Sequence, residues 1–83
     1  MTLNVVYFAW LRERIGEPSE VVETSAATVA ELITELRARE ERYDLAFSDL
    51  DAVRVAVDQT LTDFDAPLLN VSEVAFFPPM TGG

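Results

Sequence analysis

The chain begins with a dense apolar run, Leu3-Asn4-Val5-Val6-Tyr7-Phe8-Ala9, rich in β-branched and aromatic residues and long enough for a strand. The run is apolar on both faces. Residues 10–15 are mixed in composition and predict no element of their own. Gly16 and Pro18 then mark a turn before a second short strand around Glu20 to Thr24. Together these segments read as a hairpin with a long connection. The period changes after Thr28: Val29, Leu32, Ile33 and Leu36 recur at i, i+3, i+4 and i+7, the spacing of one helix face. Thr28 followed three residues later by Glu31 makes a capping box at its start. Burying those four side chains contributes at most roughly 6–12 kcal/mol, far above the tenths of a kcal/mol per residue set by helix propensity. Packing against a sheet therefore decides this helix. Its other face, with Glu31, Glu35 and Arg39, reads as a solvated surface with i,i+4 pairing.

Tyr43 to Leu50 reads as a helical turn or loop. Val53-Arg54-Val55-Ala56-Val57 alternates as a third strand, and Thr60 to Thr62 as a short fourth one. Asp65-Ala66-Pro67 is a turn, and Val74-Ala75-Phe76-Phe77 a last strand that Pro78 and Pro79 end by removing ladder donors. Two strands, a helix and three strands is the order expected of an α+β fold of the β-grasp type, a mixed sheet of about five strands around one main helix. One domain over residues 1–83 suffices, with a flexible C-terminal tail over 78–83.

A single helix covers only one face of such a sheet. With Leu3, Val5, Tyr7, Val53, Val55, Val57, Val74 and Phe76 toward the helix, alternation sends Val6, Phe8, Ala56 and Phe77 to the uncovered side, where Leu61 can join them. A contiguous apolar patch of this kind on a small domain is expected to be a partner site.

Composition narrows the chemistry by what is missing. Among 83 residues there is no cysteine and no histidine, and all six basic residues are arginine. The chain thus lacks a thiolate, a disulfide, a soft metal ligand, the usual general base near neutral pH and a Schiff-base lysine. It is not expected to be an enzyme on its own, to bind a cofactor or to hold a metal. Fifteen acidic residues against six basic ones give a formal charge of −9, which repels phosphate backbones and argues against nucleic acid. No apolar stretch is long enough for a membrane span, and no secretory signal pattern opens the chain, so the expected location is cytoplasmic.

The remaining candidate for chemistry is the end of the chain. Phe76-Phe77-Pro78-Pro79-Met80-Thr81 leads into Gly82-Gly83. Two glycines make a terminal carbonyl reachable in a channel too narrow for other residues. Six residues beyond Phe77 span about 20 Å when extended, enough to insert a terminus into a partner docked on the patch. The prolines restrict the free tail and so lessen the entropy lost on insertion.

The segment from Val74 through Gly83 resembles the C-terminus of the small subunit of molybdopterin synthase, the MoaD family of ubiquitin-like sulfur carriers. Val6-Tyr7-Phe8-Ala9 followed by Leu11-Arg12-Glu13 is similar to that family's opening strand. Val55 to Leu61, with Phe64-Asp65 and Pro67-Leu68, resembles its later segment. The resemblance implies a cycle in two complexes. An ATP-dependent enzyme adenylates the Gly83 carboxylate and loads sulfur to give a thiocarboxylate. The synthase large subunit, in an expected two-plus-two heterotetramer, then passes that sulfur to cyclic pyranopterin monophosphate to build the dithiolene. Gly83 is then the reacting residue and Gly82 gives clearance. Met80 and Thr81, after Pro78 and Pro79, line the inserted tail. Phe8, Leu61 and Phe77 dock the partner, with Arg12 pairing acidic groups. Family members commonly have Asn where this chain has Asp58, and a glycine-containing turn where it has Asn70-Val71-Ser72-Glu73, so a φ > 0 position there is expected to be strained unless the backbone adjusts. Three other classes remain open: a thiamine-pathway sulfur carrier, a ubiquitin-like protein modifier, and a non-reactive interaction domain.

Overall fold

In the computed structural model, which describes residues 1–79, the opening apolar run forms β1 (Thr2–Tyr7). It pairs antiparallel with β2 (Ser19–Glu23) and parallel with β5 (Glu73–Phe77). On the other side of β5 lie β3 (Arg54–Val57) and β4 (Thr60–Thr62), both antiparallel to their neighbours. The sheet order is β2-β1-β5-β3-β4, so the last strand in sequence occupies the centre. Helix α2 (Val29–Arg39) lies on one face, capped as expected. The Thr28 hydroxyl accepts from the Glu31 N–H, and Val29, Leu32, Ile33 and Leu36 are all buried.

Two segments differ from the expectation. Residues 10–15 are not a connection without structure but form α1 (Ala9–Ile15), which buries Leu11 and Ile15 and ends at Gly16 in the left-handed region (φ 89°). The Gly16 N–H closes the helix on the Arg12 carbonyl at 2.8 Å. Tyr43 to Leu50 resolves into α3 (Glu41–Ala46) followed by a short 3-10 turn, Leu50–Ala52. The main helix therefore has two short companions. The core under the sheet contains Leu3, Val5, Tyr7, Val53, Val55, Val74 and Phe76, with Phe47 meeting Phe76 edge-on at 5.0 Å between ring centres. Val57, placed on the same face by its register, is only half-buried.

A polar network closes one side of the core. The Tyr7 and Tyr43 hydroxyls both donate to Glu20 Oε2, at 2.7 and 2.6 Å. Arg39 approaches the other Glu20 oxygen at 4.0 Å and, with Arg42, stacks on the Tyr43 ring. Burial, and then the Glu20 carboxylate, push both phenols up: Tyr43 to about 12, Tyr7 further still. The polar face of α2 is accordingly more than a solvated surface, since Arg39 joins this network and Glu35 accepts from the Thr24 hydroxyl.

The turn departures are accommodated by an adjusted backbone. The left-handed residue is Asn70 (φ 63°), a type that tolerates this region, and not Val71. Asp58 (φ 47°) and Gln59 (φ 69°) form the β3–β4 hairpin turn. Asp58 Oδ1 accepts from the Ser72 and Glu73 N–H groups at 3.0 and 2.9 Å. The two departures touch one another, and one braces the other.

Candidate functional site

The face of the sheet opposite α2 is assembled by strand alternation. Val6 on β1, Ala75 on β5, Ala56 on β3 and Leu61 on β4 are successive cross-strand partners, so one apolar row runs across four strands. Leu61 is 69% exposed, Val6 and Ala56 are half-buried, and Ala75 forms the floor at 8%. A second row lies one step along β5. Phe77 pairs with Arg54, and on the other side the Phe8 N–H donates to the Phe76 carbonyl at 3.0 Å. Phe8 is 48% exposed and Phe77 is half-buried.

Phe8 owes its position to a break in the strand and not to alternation alone. Strand β1 ends at Tyr7, and the chain turns sharply at Ala9, whose φ of 53° is unfavourable for a non-glycine residue by about 1–2 kcal/mol. That turn starts α1 with no side-chain cap. It places Arg12 one helical turn from Phe8, with the Arg12 N–H facing the Phe8 carbonyl at 3.4 Å. The structure thus brings Phe8, Arg12 and Phe77 to one end of the sheet, and Leu61 to the far side of the same face. Pro78 and Pro79 continue from the central strand, both half-buried. Met80, Thr81, Gly82 and Gly83 lie outside the described residues.

Because β5 is central and parallel to β1, the segment after Phe77 leaves from the middle of the apolar face and not from an edge. It is flanked by Phe8 on one side and by Arg54 on the other. Arg54 was not anticipated as a site residue, yet the signal was present: a residue two before Ala56 in an alternating strand shares its face. Among the described residues, three arginines form ion pairs with carboxylates: Arg37 with Asp44, Arg39 with Glu20 and Arg42 with Glu40. Arg12, Arg14 and Arg54 do not. No group of three or more potential metal ligands occurs among the described residues, and no described helix is long and apolar enough to cross a membrane.

This arrangement can dock an apolar surface and direct a chain end into it. Comparison with known proteins points the same way. The model of the ThiS family matches residues 5–83. The molybdopterin synthase sulfur carrier subunit of Escherichia coli (strain K12) is 42% identical over 81 residues, covering 98% of this chain and 99% of that protein. Among solved structures, the putative molybdopterin converting factor subunit 1 from Pyrococcus furiosus superposes with a TM-score of 0.72 at 28% identity, over 96% of this chain and 99% of that one. A complex of subunits 1 and 2 of molybdopterin-converting factor from Helicobacter pylori 26695 contains a chain of the same fold. Its TM-score is 0.64 at 24% identity, with both chains fully covered. The β-grasp fold is thus shared along the whole length of the solved relatives, and the chain belongs to the ThiS/MoaD family.

Proposed function

We propose that this protein is the sulfur-carrier subunit of molybdopterin synthase, with the Gly83 carboxylate as its reacting group. One observation carries the reading: β5 is the central strand of the Val6–Ala75–Ala56–Leu61 face and leaves it between Phe8 and Arg54, so a partner seated there receives the following residues directly, in a chain matched end to end by a sulfur carrier subunit. A carboxylate is a poor electrophile because substitution would expel oxide. Adenylation by an ATP-dependent partner, with release of pyrophosphate, provides AMP as a leaving group. A persulfide on the loading enzyme then attacks the acyl carbon, AMP departs, and cleavage of the S–S bond by a second thiol leaves the thiocarboxylate. In the second complex, the thiocarboxylate sulfur passes to cyclic pyranopterin monophosphate held by the synthase large subunit, and water takes the acyl carbon to restore the Gly83 carboxylate; two sulfurs per dithiolene require two loaded carriers.

This chain's own contribution is docking and presentation. Phe8, Leu61 and Phe77 provide apolar contact and Arg12 an exposed charge beside Phe8. Pro78 and Pro79 stiffen the spacer, Met80 and Thr81 line the insertion, and Gly82 gives clearance. The test is the intact mass after incubation with ATP, the adenylating enzyme and a sulfur source. The expected product gains the difference between sulfur and oxygen, mapped to Gly83. Deleting Gly83, or adding one residue after it, is expected to abolish sulfur transfer while leaving the melting temperature unchanged. Retained transfer in either variant would overturn the mechanism.

A further inference from the structure

Arg54 borders Phe77 on the outer face of the sheet. The two residues are direct cross-strand partners on the outer face, and Arg54 is exposed. Its guanidinium is also held in place. Nη1 donates to the carbonyl oxygens of Asp51 and Val53, both at 3.0 Å, which uses the two hydrogens on that nitrogen. The Nε–Nη2 edge, the side of a guanidinium that grips a carboxylate with two parallel hydrogen bonds, has no hydrogen-bond partner among the described residues. Two acidic residues lie close by: Asp51, whose carbonyl takes one Nη1 hydrogen, and Asp63 on the wall of a cavity of about 240 Å3 shared with Arg54. Neither comes within ion-pair distance of Arg54.

A cation desolvated by a docked partner without a compensating acceptor is strongly unfavourable. The face that buries Phe77 must therefore supply one. We propose that Arg54 is a specificity-determining residue of the docking surface, and that the large subunit presents an Asp or Glu carboxylate to its Nε–Nη2 edge. This rests on the carrier reading above. It adds a requirement that an apolar patch alone does not impose, because an equally apolar partner lacking the carboxylate would be rejected by the unpaired guanidinium. Backbone anchoring through Nη1 pre-orders the fork, so little side-chain entropy is lost when the carboxylate arrives.

The test measures binding of the full chain to its large subunit at several salt concentrations, for the wild type, Arg54→Gln, Arg54→Lys and Arg54→Glu. The expected affinity losses are about tenfold for Gln and about a hundredfold for Glu. Lys is expected to restore only part of the loss, because an ammonium lacks the planar fork. The salt dependence should be shallower in the Gln variant than in the wild type. Thermal unfolding of each variant separates a folding defect from a binding defect. Reversing the charge of acidic residues on the large subunit should identify one whose replacement by Arg rescues Arg54→Glu. Wild-type binding with undiminished affinity in Arg54→Glu would overturn the assignment and leave the carrier reading intact. Failure of the wild type to bind the large subunit would overturn both. Loss of affinity with an unchanged salt slope and no rescuing position would show that Arg54 acts only through its carbonyl contacts, which also overturns the proposal.

Discussion

Phe76 and Phe77 are adjacent in sequence and point to opposite faces of the central strand, so truncating each to alanine separates folding from docking. Phe76 is fully buried, edge-on to Phe47 and stacked at 6.3 Å from Tyr7. Removing a ring from such a site costs about 3–5 kcal/mol, as lost transfer free energy plus an unfilled cavity. A domain of 83 residues has a total stability of about 4–12 kcal/mol. The Phe76→Ala variant is therefore expected to melt about 12–40 °C lower, at about 4–8 °C per kcal/mol for a domain of this size. Phe77 is half-buried on a face with no second layer, and its truncation forfeits only about 1 kcal/mol of folding stability. Its loss should appear in binding, as a rise in Kd of roughly thirtyfold or more if Phe77 is one of the anchors of the interface. The single tryptophan, Trp10, packs against the core and reports urea unfolding by fluorescence; titration calorimetry with the large subunit reports docking. Equal destabilisation by the two substitutions would refute the reasoning, because it would mean that the outer face is covered from within the chain. Wild-type affinity in Phe77→Ala would remove that residue from the interface.

Alkaline stability should fall off because of the Tyr7–Glu20–Tyr43 network. Both phenols titrate near 10.0 when unfolded, and in the folded protein Tyr43 is raised to about 12 and Tyr7 beyond it. Their stabilisation is complete below pH 10 and declines as pH rises from about 10 through 12, since the unfolded chain loses these protons first. Urea midpoints measured across this range should show the decline, and the Tyr7→Phe, Tyr43→Phe double variant should flatten it; an unaltered limb would disprove the assignment. Asp58→Ala should cost about 1–2 kcal/mol by leaving the Ser72 and Glu73 N–H groups without their acceptor, while Asp58→Asn, which keeps a side-chain carbonyl and tolerates positive φ, should cost about 0.5 kcal/mol or less. Equal losses for the two in denaturant titration would show that the brace contributes nothing.

What the residues disclosed in advance follows the range of the forces involved. Helix α2 was readable because four apolar positions fit one period and Thr28–Glu31 marks its start. The strands were readable because alternation repeats within each of them. Helix α1 was missed because it is seven residues long, buries only Leu11 and Ile15, and starts at Phe8 without a capping side chain. Two apolar points do not define a period. The Glu20 network joins β1, β2 and α3, so no local pattern announces it. At Asn70–Glu73 the backbone adjusts by placing its left-handed residue at Asn70, and a residue 14 positions away holds the turn, which no local pattern shows.

The central placement of β5 explains how so small a domain carries both a stable core and an adhesive face. An edge strand leaves one side of its backbone unpaired, and its end can fray. Here β5 is hydrogen-bonded on both sides, by β1 in parallel and β3 in antiparallel register. The β1 pairing runs to Phe76 and the β3 pairing to Phe77, so the direction in which Pro78 departs is set by the sheet. Alternation then divides the labour within one strand. Val74 and Phe76 go to the core, while Ala75 and Phe77 face outward. The distribution of arginine follows the same division. Three of the six form ion pairs around α2 and α3, and the other three, without ion-pair partners among the described residues, include Arg12 beside Phe8 and Arg54 beside Phe77. Under the carrier reading, these two guanidinium groups on a body of net charge −9 would orient a partner's carboxylates before any apolar surface is buried. Hydrophobic contact, which has no direction of its own, then acts on a complex already turned to receive the chain end.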